Sequence, residues 1–183
     1  MVLPKNTAIN PAVFPLSLAA GVLLALCIGV GVRLNKERLP NQHSHHYNHL
    51  FDKPAPSFEI EGLSGGRVSS QKGSETWLLY FTDSGSKACD AAYPTLKKIA
   101  QYIPVTVIGL GNRTQLSDKL AQHGIVATVG YDSLRSVPPL YQADVFPSAM
   151  LIDPEGIVRQ AAIGSNGIER IVIDVVQKEK GGR

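Results

Sequence analysis

The segment that decides the fold runs from Trp77 to Pro94 and reads WLLYFTDSGSKACDAAYP. It opens on an apolar run bounded by turn-forming residues, the pattern of a strand buried on both faces of a sheet. From Cys89 onward, apolar residues recur at the spacing of one helix face, which predicts a helix from Cys89 to Tyr102. Pro94 lies inside this helix and should kink it. The segment therefore predicts a strand, a loop and a helix, with one cysteine where the helix begins.

Strands and amphipathic stretches alternate on both sides of this unit, which is the pattern of an α/β domain. We place the domain at residues 57–179, and residues 57–70 should form a β-hairpin before the central unit. After the central helix we predict strands at 105–110 and 125–129, helices at 115–123 and 136–142, a hairpin of strands 148–152 and 157–162, and a closing helix at 167–177.

Composition excludes several classes of function. The net charge of +3 is mild and the basic residues are scattered, so the chain lacks the electrostatic footprint of a nucleic-acid-binding protein. Two cysteines, Cys27 and Cys89, are too few for a disulfide-stapled scaffold or a cysteine-rich zinc or iron–sulfur site. We therefore expect no metal, no cofactor and no nucleic-acid partner.

The amino-terminal region contains an uncharged stretch, AVFPLSLAAGVLLALCIGVGV, at residues 12–32. A helix of this length crosses a hydrocarbon core of about 30 Å, so we predict a transmembrane anchor at 12–32 after a tail at 1–11. Cys27 is then an apolar membrane residue. A cleaved signal peptide is the alternative, but no clear small-x-small cleavage site precedes Arg33.

Residues 33–56 are predicted to be a linker rich in proline and histidine. Four of the five histidines of the chain lie at residues 43–49, which read HSHHYNH. Imidazoles at such spacings can share a zinc or copper ion. The alternative is a polar, flexible spacer, and we prefer it because no framework of further ligands accompanies the tract.

The order of the predicted elements resembles a thioredoxin-like domain of the TlpA group, which has an additional amino-terminal β-hairpin. Residues 55–58 (APSF) are similar to the opening strand of that family, and residues 81–94 are similar to its active-site strand, loop and helix. Residues 145–148 (VFPS), with 151–153 (LID) and Gly156, are similar to its cis-proline loop and the hairpin that follows. The resemblance covers nearly everything after the linker.

Members of the TlpA group are bacterial, membrane-anchored thiol–disulfide oxidoreductases that act outside the cytoplasm. They include cytochrome c maturation factors and the accessory protein of methylamine dehydrogenase maturation. The resemblance thus implies an extracytoplasmic client protein or redox partner, and a domain on the periplasmic face of the cytoplasmic membrane. The basic residues Arg33, Lys36 and Arg38 favour the opposite orientation under the positive-inside rule, and we give the family precedence.

One departure from the family pattern affects the chemistry. The family carries a Cys-x-x-Cys pair five residues before the helix proline, and counting back from Pro94 places Cys89 second and Ser86 first. A dithiol enzyme attacks its substrate with one thiolate and releases the mixed disulfide with the other, and serine can perform neither step. Tyr80 also replaces the buried acid of thioredoxins. The resemblance implies that the usual two-cysteine cycle is not available to this chain alone.

Two hypotheses from different classes follow. In the first, the protein is a thiol–disulfide oxidoreductase that acts on partner thiols through Cys89 alone, with its thiolate favoured by the helix terminus and Lys87. In the second, it is a catalytically inactive accessory module that binds a client through Phe146 and Pro147. In the family, a cis-proline loop offers backbone hydrogen bonds to an extended partner segment. The exposure of Cys89 decides between the two.

A third hypothesis is a peroxiredoxin-like peroxidase, because those enzymes use a Thr/Ser-x-x-Cys motif on the same fold. Ser86 and Cys89 fit this spacing. The proline that such enzymes carry before the cysteine is Thr82 here, and their arginine aligns with Pro147. Peroxide reduction needs that cation to stabilise developing charge, so this hypothesis ranks third.

Overall fold

A seven-stranded sheet, in the order β2-β1-β5-β4-β3-β6-β7, organises the domain. The structure, a computed structural model, describes residues 47–70 and 75–181. Its elements in chain order are β1 (Glu59–Gly62), β2 (Arg67–Ser69), β3 (Trp77–Asp83), α1 (Lys87–Ile99), β4 (Val105–Leu110), α2 (Arg113–His123), β5 (Thr128–Tyr131), a 3₁₀ helix (Pro138–Tyr141), β6 (Ser148–Ile152), β7 (Val158–Ile163) and α3 (Gly164–Gly181).

Strand β3 lies in the interior of the sheet, where it pairs in parallel with β4 and antiparallel with β6. Every residue of β4, and every residue of β3 except Asp83, is buried, as an apolar run covered on both faces requires. Alternate side chains of β3 enter two different cores. Leu78 and Tyr80 pack with α1 and α3, whereas Trp77, Leu79 and Phe81 pack on the opposite face. The predicted α/β class is confirmed.

The helix ends follow local capping rules. Helix α1 begins at Lys87, two residues before the predicted start, because Ser86 is its N-cap and accepts a hydrogen bond from the Cys89 amide. Helix α2 ends at Gly124, which adopts the left-handed φ of 63° that favours glycine. The Ile125 amide still bonds to the α2 carbonyl of Leu120 at 3.0 Å, which explains why β5 begins after the predicted position.

Residues 47–56, which we call the strap, pack against the domain and differ from the flexible spacer expected for residues 33–56. Tyr47 and Leu50 are buried in the core on the face of the sheet opposite α1. The Asp52 amide donates to the Val158 carbonyl, and the Val158 amide donates to the Lys53 carbonyl, each at 3.0 Å. The strap therefore continues the sheet edge alongside the start of β7.

The predicted tail, the predicted anchor at 12–32 and residues 33–46 of the predicted linker lie outside the described residues. Within 47–70 and 75–181, none of the helices combines the length and hydrophobicity that crossing a bilayer requires.

Candidate functional site

The four residues singled out by the sequence gather at one end of the sheet. Strands β3 and β6 are antiparallel, with Phe81 opposite Ser148, so the end of β3 and the beginning of β6 lie together. The loop that leaves β3 leads to Ser86 and Cys89 on the first turn of α1. The loop that enters β6 carries Phe146 and Pro147, and the peptide bond between them is cis.

Cys89 is sealed inside this end of the domain. Its side chain is 0% exposed, and it lies on the face of α1 that packs on the sheet. The Cys89 amide lies 3.2 Å from the Ser86 carbonyl and 3.4 Å from the Ser86 hydroxyl. Its Sγ lies 3.5 Å from the Asp83 backbone N–H, which points at the sulfur. Ser86, by contrast, is half-buried, and Lys87 and Ala88 on the same turn are exposed.

Hydroxyl groups pack near the thiol. The Thr82 and Tyr93 hydroxyls are hydrogen-bonded at 3.1 Å. Burial raises the pKa of Tyr80, and the neighbouring Cys89 raises it further, so the phenol is neutral at physiological pH. The Tyr80 hydroxyl is buried in the core near Thr82. Tyr80 therefore offers Cys89 no charged base.

The loop after β3 is held from α2 by Lys119. Its ammonium donates to the Ser84 carbonyl at 2.7 Å and to the two Asp90 carboxylate oxygens at 2.7 and 2.9 Å. The Ser84 hydroxyl accepts from the Asn112 amide at 2.8 Å. A Cβ at Gly111 would lie 2.4 Å from that hydroxyl, so this close approach requires glycine. Sequence reasoning missed Lys119, because no local pattern shows that it reaches this loop.

A second ion pair joins the same loop to the segment before the 3₁₀ helix. Arg135 donates to one Asp83 carboxylate oxygen at 2.7 Å, and the Gly85 amide donates to the other at 2.9 Å. The buried Asp132 shapes the segment by accepting from the Val137 amide at 2.7 Å and the Ser136 amide at 2.9 Å. Arg135 therefore bridges two loops that border the site.

A groove of about 410 Å³ lies between the 3₁₀ helix and the loop that leads to Pro147. Its lining is mainly apolar and consists of Arg135, Pro138, Pro139, Gln142, Ala143, Asp144 and Phe146. The same elements expose Leu140 and Val145 to solvent. The consecutive prolines 138 and 139 were the sequence signal for this groove, and sequence reasoning did not use it.

The described residues also bear on metal binding and on the histidines. Within 47–70 and 75–181, no cluster of three or more His, Cys, Asp or Glu side chains could hold a metal ion. The histidines 43, 45 and 46 lie outside these ranges. His123, at the end of α2, packs its ring 5.0 Å from that of Tyr93.

No protein-family model matches the chain. The chain is similar to the methylamine utilization protein MauD of Methylorubrum extorquens, with 28% identity over 135 residues. The match covers 70% of this chain and 63% of MauD, so the chain spans less than two thirds of the length of this curated relative.

Solved structures share the fold. A thiol:disulfide interchange protein, DsbE, from Chlorobium tepidum superimposes with a TM-score of 0.59 and 25% identity, over 67% of this chain and 94% of that one. A secreted disulfide oxidoreductase from Mycobacterium tuberculosis gives a TM-score of 0.56 at 15% identity, over 64% of this chain and 95% of that one. The described domain therefore has a thioredoxin-like α/β fold, similar to that of thiol–disulfide oxidoreductases.

Proposed function

We propose that this domain is a thioredoxin-like accessory module that binds a partner polypeptide beside Ser86 and Pro147 and performs no dithiol exchange of its own. One observation carries the proposal. Ser86, the N-cap of α1, is half-buried, whereas the Cys89 thiol three residues later is fully buried. Ser86 then takes the position of the attacking cysteine in the TlpA group.

The chemistry of exchange supports this proposal. Thiol–disulfide exchange requires a thiolate to reach one sulfur of the partner disulfide and form a mixed disulfide with it. The Ser86 hydroxyl cannot form that bond, and the Cys89 sulfur is covered by protein. Without a sulfur that can reach a partner disulfide, the function left to this end of the domain is binding.

The loop at Phe146 supplies a surface for binding. Among the described residues, neither the N–H nor the C=O of Phe146 makes a hydrogen bond to another backbone group. The next carbonyl, that of Pro147, accepts from the Gly164 amide at 2.8 Å and is not available. An extended partner segment can pair with the Phe146 backbone as with a strand edge, and its side chains can use the apolar groove alongside.

A thiol–disulfide oxidoreductase that acts through Cys89 alone is the second candidate. Cys89 lies in the first turn of α1, with its Sγ 3.5 Å from the Asp83 backbone nitrogen, so opening of that turn would expose the thiol to a partner. A peroxidase has less support, because the cations Arg135 and Lys119, which both reach this loop, are paired with Asp83 and Asp90.

We also propose that residues 12–32 anchor the protein and that the domain lies outside the cytoplasm. The uncharged stretch of the sequence supports the anchor, and the secreted disulfide oxidoreductase of the same fold supports the location. Reporter enzymes fused after Arg183 test the orientation. Activity of a periplasmic reporter is expected, and activity confined to a cytoplasmic reporter would reverse the orientation.

Insulin reduction with dithiothreitol tests the function. The chain carrying Cys27→Ser is compared with the same chain carrying Cys89→Ser or Ser86→Cys in addition. We expect the first two proteins to match the background rate and the Ser86→Cys variant to exceed it. Activity that Cys89→Ser abolishes would reject the binding module in favour of the second candidate.

A further inference from the structure

The strap meets the partner-binding loop at its amino-terminal end. Tyr47 is 0% exposed and belongs to the same apolar cluster as Tyr141, with Phe146 packed against that cluster. Burial raises the pKa of the Tyr47 phenol, the neighbouring Ser148 hydroxyl opposes the shift, and Asp144 adds to it. Ser148 directly follows Pro147 and Asp144 lies shortly before it, so Tyr47 supports this loop from the core side.

The other end of the strap meets the opposite wall of the groove. The Tyr141 hydroxyl donates to the carbonyl of Pro56, the last residue of the strap. Tyr141 ends the 3₁₀ helix and is fully buried, with its ring 5.5 Å from that of Phe81 and 6.4 Å from that of Phe58. One hydrogen bond thus joins the strap to the helix that forms this wall.

Between its ends the strap is fixed to β7 and to the turn before it. Backbone hydrogen bonds join Asp52 and Lys53 to Val158, and the Ala55 amide donates to the Gly156 carbonyl at 2.8 Å. The Asp52 carboxylate is paired with Arg159 at 2.6 Å. A segment held at several points along its length resists displacement of either end.

We propose that the strap positions the Phe146–Pro147 loop, so that residues 47–56 are part of the partner-binding site. Tyr47 and Tyr141 are positioning residues, because each acts through the loop or the 3₁₀ helix and need not touch the partner. The inference rests on the proposed function. It makes the segment that joins the predicted anchor to the domain a determinant of binding.

The test uses the full chain with one thiol at the site, obtained by combining Cys27→Ser, Ser86→Cys and Cys89→Ser. The introduced thiolate attacks a disulfide, forms a mixed disulfide and expels thionitrobenzoate, whose absorbance gives the rate. Two reagents with this leaving group are compared, namely symmetric dithiobis(nitrobenzoate) and a short apolar peptide activated at its cysteine. The ratio of the two rates measures contact between the peptide and the loop.

Tyr47→Ala should lower the peptide rate at least about tenfold, because small displacements of a binding group have large effects on rate. The rate with the symmetric reagent should change less than about twofold, since it needs no loop contact. Tyr141→Phe, which keeps the ring, should lower the peptide rate about fivefold, the effect of one hydrogen bond. Tyr102→Ala, at an exposed tyrosine outside the strap, should change neither rate.

Near-ultraviolet circular dichroism establishes whether each variant is folded at the assay temperature. If Tyr47→Ala is unfolded, the result with Tyr141→Phe decides the test. An unchanged ratio in folded strap variants would overturn the inference and leave the proposed function standing. Equal slowing with both reagents would also overturn it, because the effect would then lie in the thiol. Glutathione, a thiol without a binding loop, gives the reference ratio of the two rates. If the ratio for the starting protein is no higher than for glutathione, the proposed partner-binding function itself fails.

Discussion

Replacing Ser86 by cysteine, in a chain that carries Cys27→Ser throughout, should create a working Cys-x-x-Cys pair with Cys89. Ser86 is the N-cap of α1, and its Oγ lies 3.4 Å from the Cys89 amide, so both side chains belong to one helical turn. In the reduced variant the cap is lost, which should cost about 1 kcal/mol of the free energy of unfolding. The 3.4 Å contact is long for a hydrogen bond, so we expect the cost of losing the cap to lie at or below this value.

Oxidation of the variant should more than restore this loss. A disulfide that closes a ring of about four residues contributes about 2 kcal/mol in the chain-entropy treatment. For a chain of this size, about 2 kcal/mol corresponds to roughly 4–8 °C in Tm. The oxidised variant should therefore melt several degrees above its reduced form, and both should retain the native circular dichroism.

Three measurements check this prediction. Mass spectrometry after treatment with oxidised glutathione should show the loss of two hydrogens, thermal unfolding with and without dithiothreitol should show the difference in Tm, and insulin reduction should rise above background. The double variant Ser86→Cys, Cys89→Ser is the matched control and should show no intramolecular disulfide. Two free thiols in the glutathione-treated variant would refute the placement of Ser86 at the attacking position.

Cys89 should resist alkylation by N-ethylmaleimide in the folded protein and react on unfolding, because its side chain is fully buried. Lys119→Met should raise the alkylation rate of Cys89. It should also lower the free energy of unfolding by about 1–3 kcal/mol, since Asp90 and the Ser84 carbonyl lose their donor. Asp153→Asn should reduce the fall in the free energy of unfolding between neutral and acid pH. Partial burial raises the Asp153 pKa, but the Ile157 amide and Arg159 outweigh it and hold the pKa below its usual range.

A carboxyl with a lowered folded pKa contributes stability above its unfolded pKa, near 4, and this is lost as the pH falls through the folded value. Urea unfolding at about pH 3 and about pH 7 measures it, and equal slopes for Asp153→Asn and wild type would contradict the assignment. Lys98→Met, at an exposed lysine of α1, is the control for Lys119→Met. Rapid alkylation of native Cys89 would remove the argument for a sealed thiol.

Local patterns in the sequence were sufficient for the elements that form the core. The apolar run at 105–110 predicts β4 with its observed bounds. A strand that is buried on both faces is apolar nearly throughout, so its run begins and ends with the strand. The start of β5 was predicted at residue 125 and lies at Thr128. The Ile125 amide donates to the Leu120 carbonyl and so caps the end of α2. This capping overrides the β-propensity of Ile125.

The strap and the polar clamps could not be predicted in the same way. The strap is rich in proline and polar residues, and the burial of Tyr47 depends on strands about a hundred residues later in the chain. Lys119 and Arg135 are ordinary surface residues by sequence, and only the packing of α2 and the 3₁₀ helix brings them to the loop after β3. Ser86, Cys89 and Pro147 were found because the strand–loop–helix and the hairpin that carry them resemble those of the TlpA group.

The order of serine and cysteine on the first turn of α1 determines what kind of binding the domain can support. A cysteine at the accessible position with serine behind it would capture a partner disulfide and release it slowly, because no second thiol resolves the mixed disulfide. Here the first position holds the half-buried Ser86, and the second position holds the fully buried thiol of Cys89. Under the proposed function, a partner that docks on the Phe146–Pro147 loop therefore leaves without covalent exchange. Its residence time is then set by the backbone pairing and the groove, and so by the strap that holds them in place.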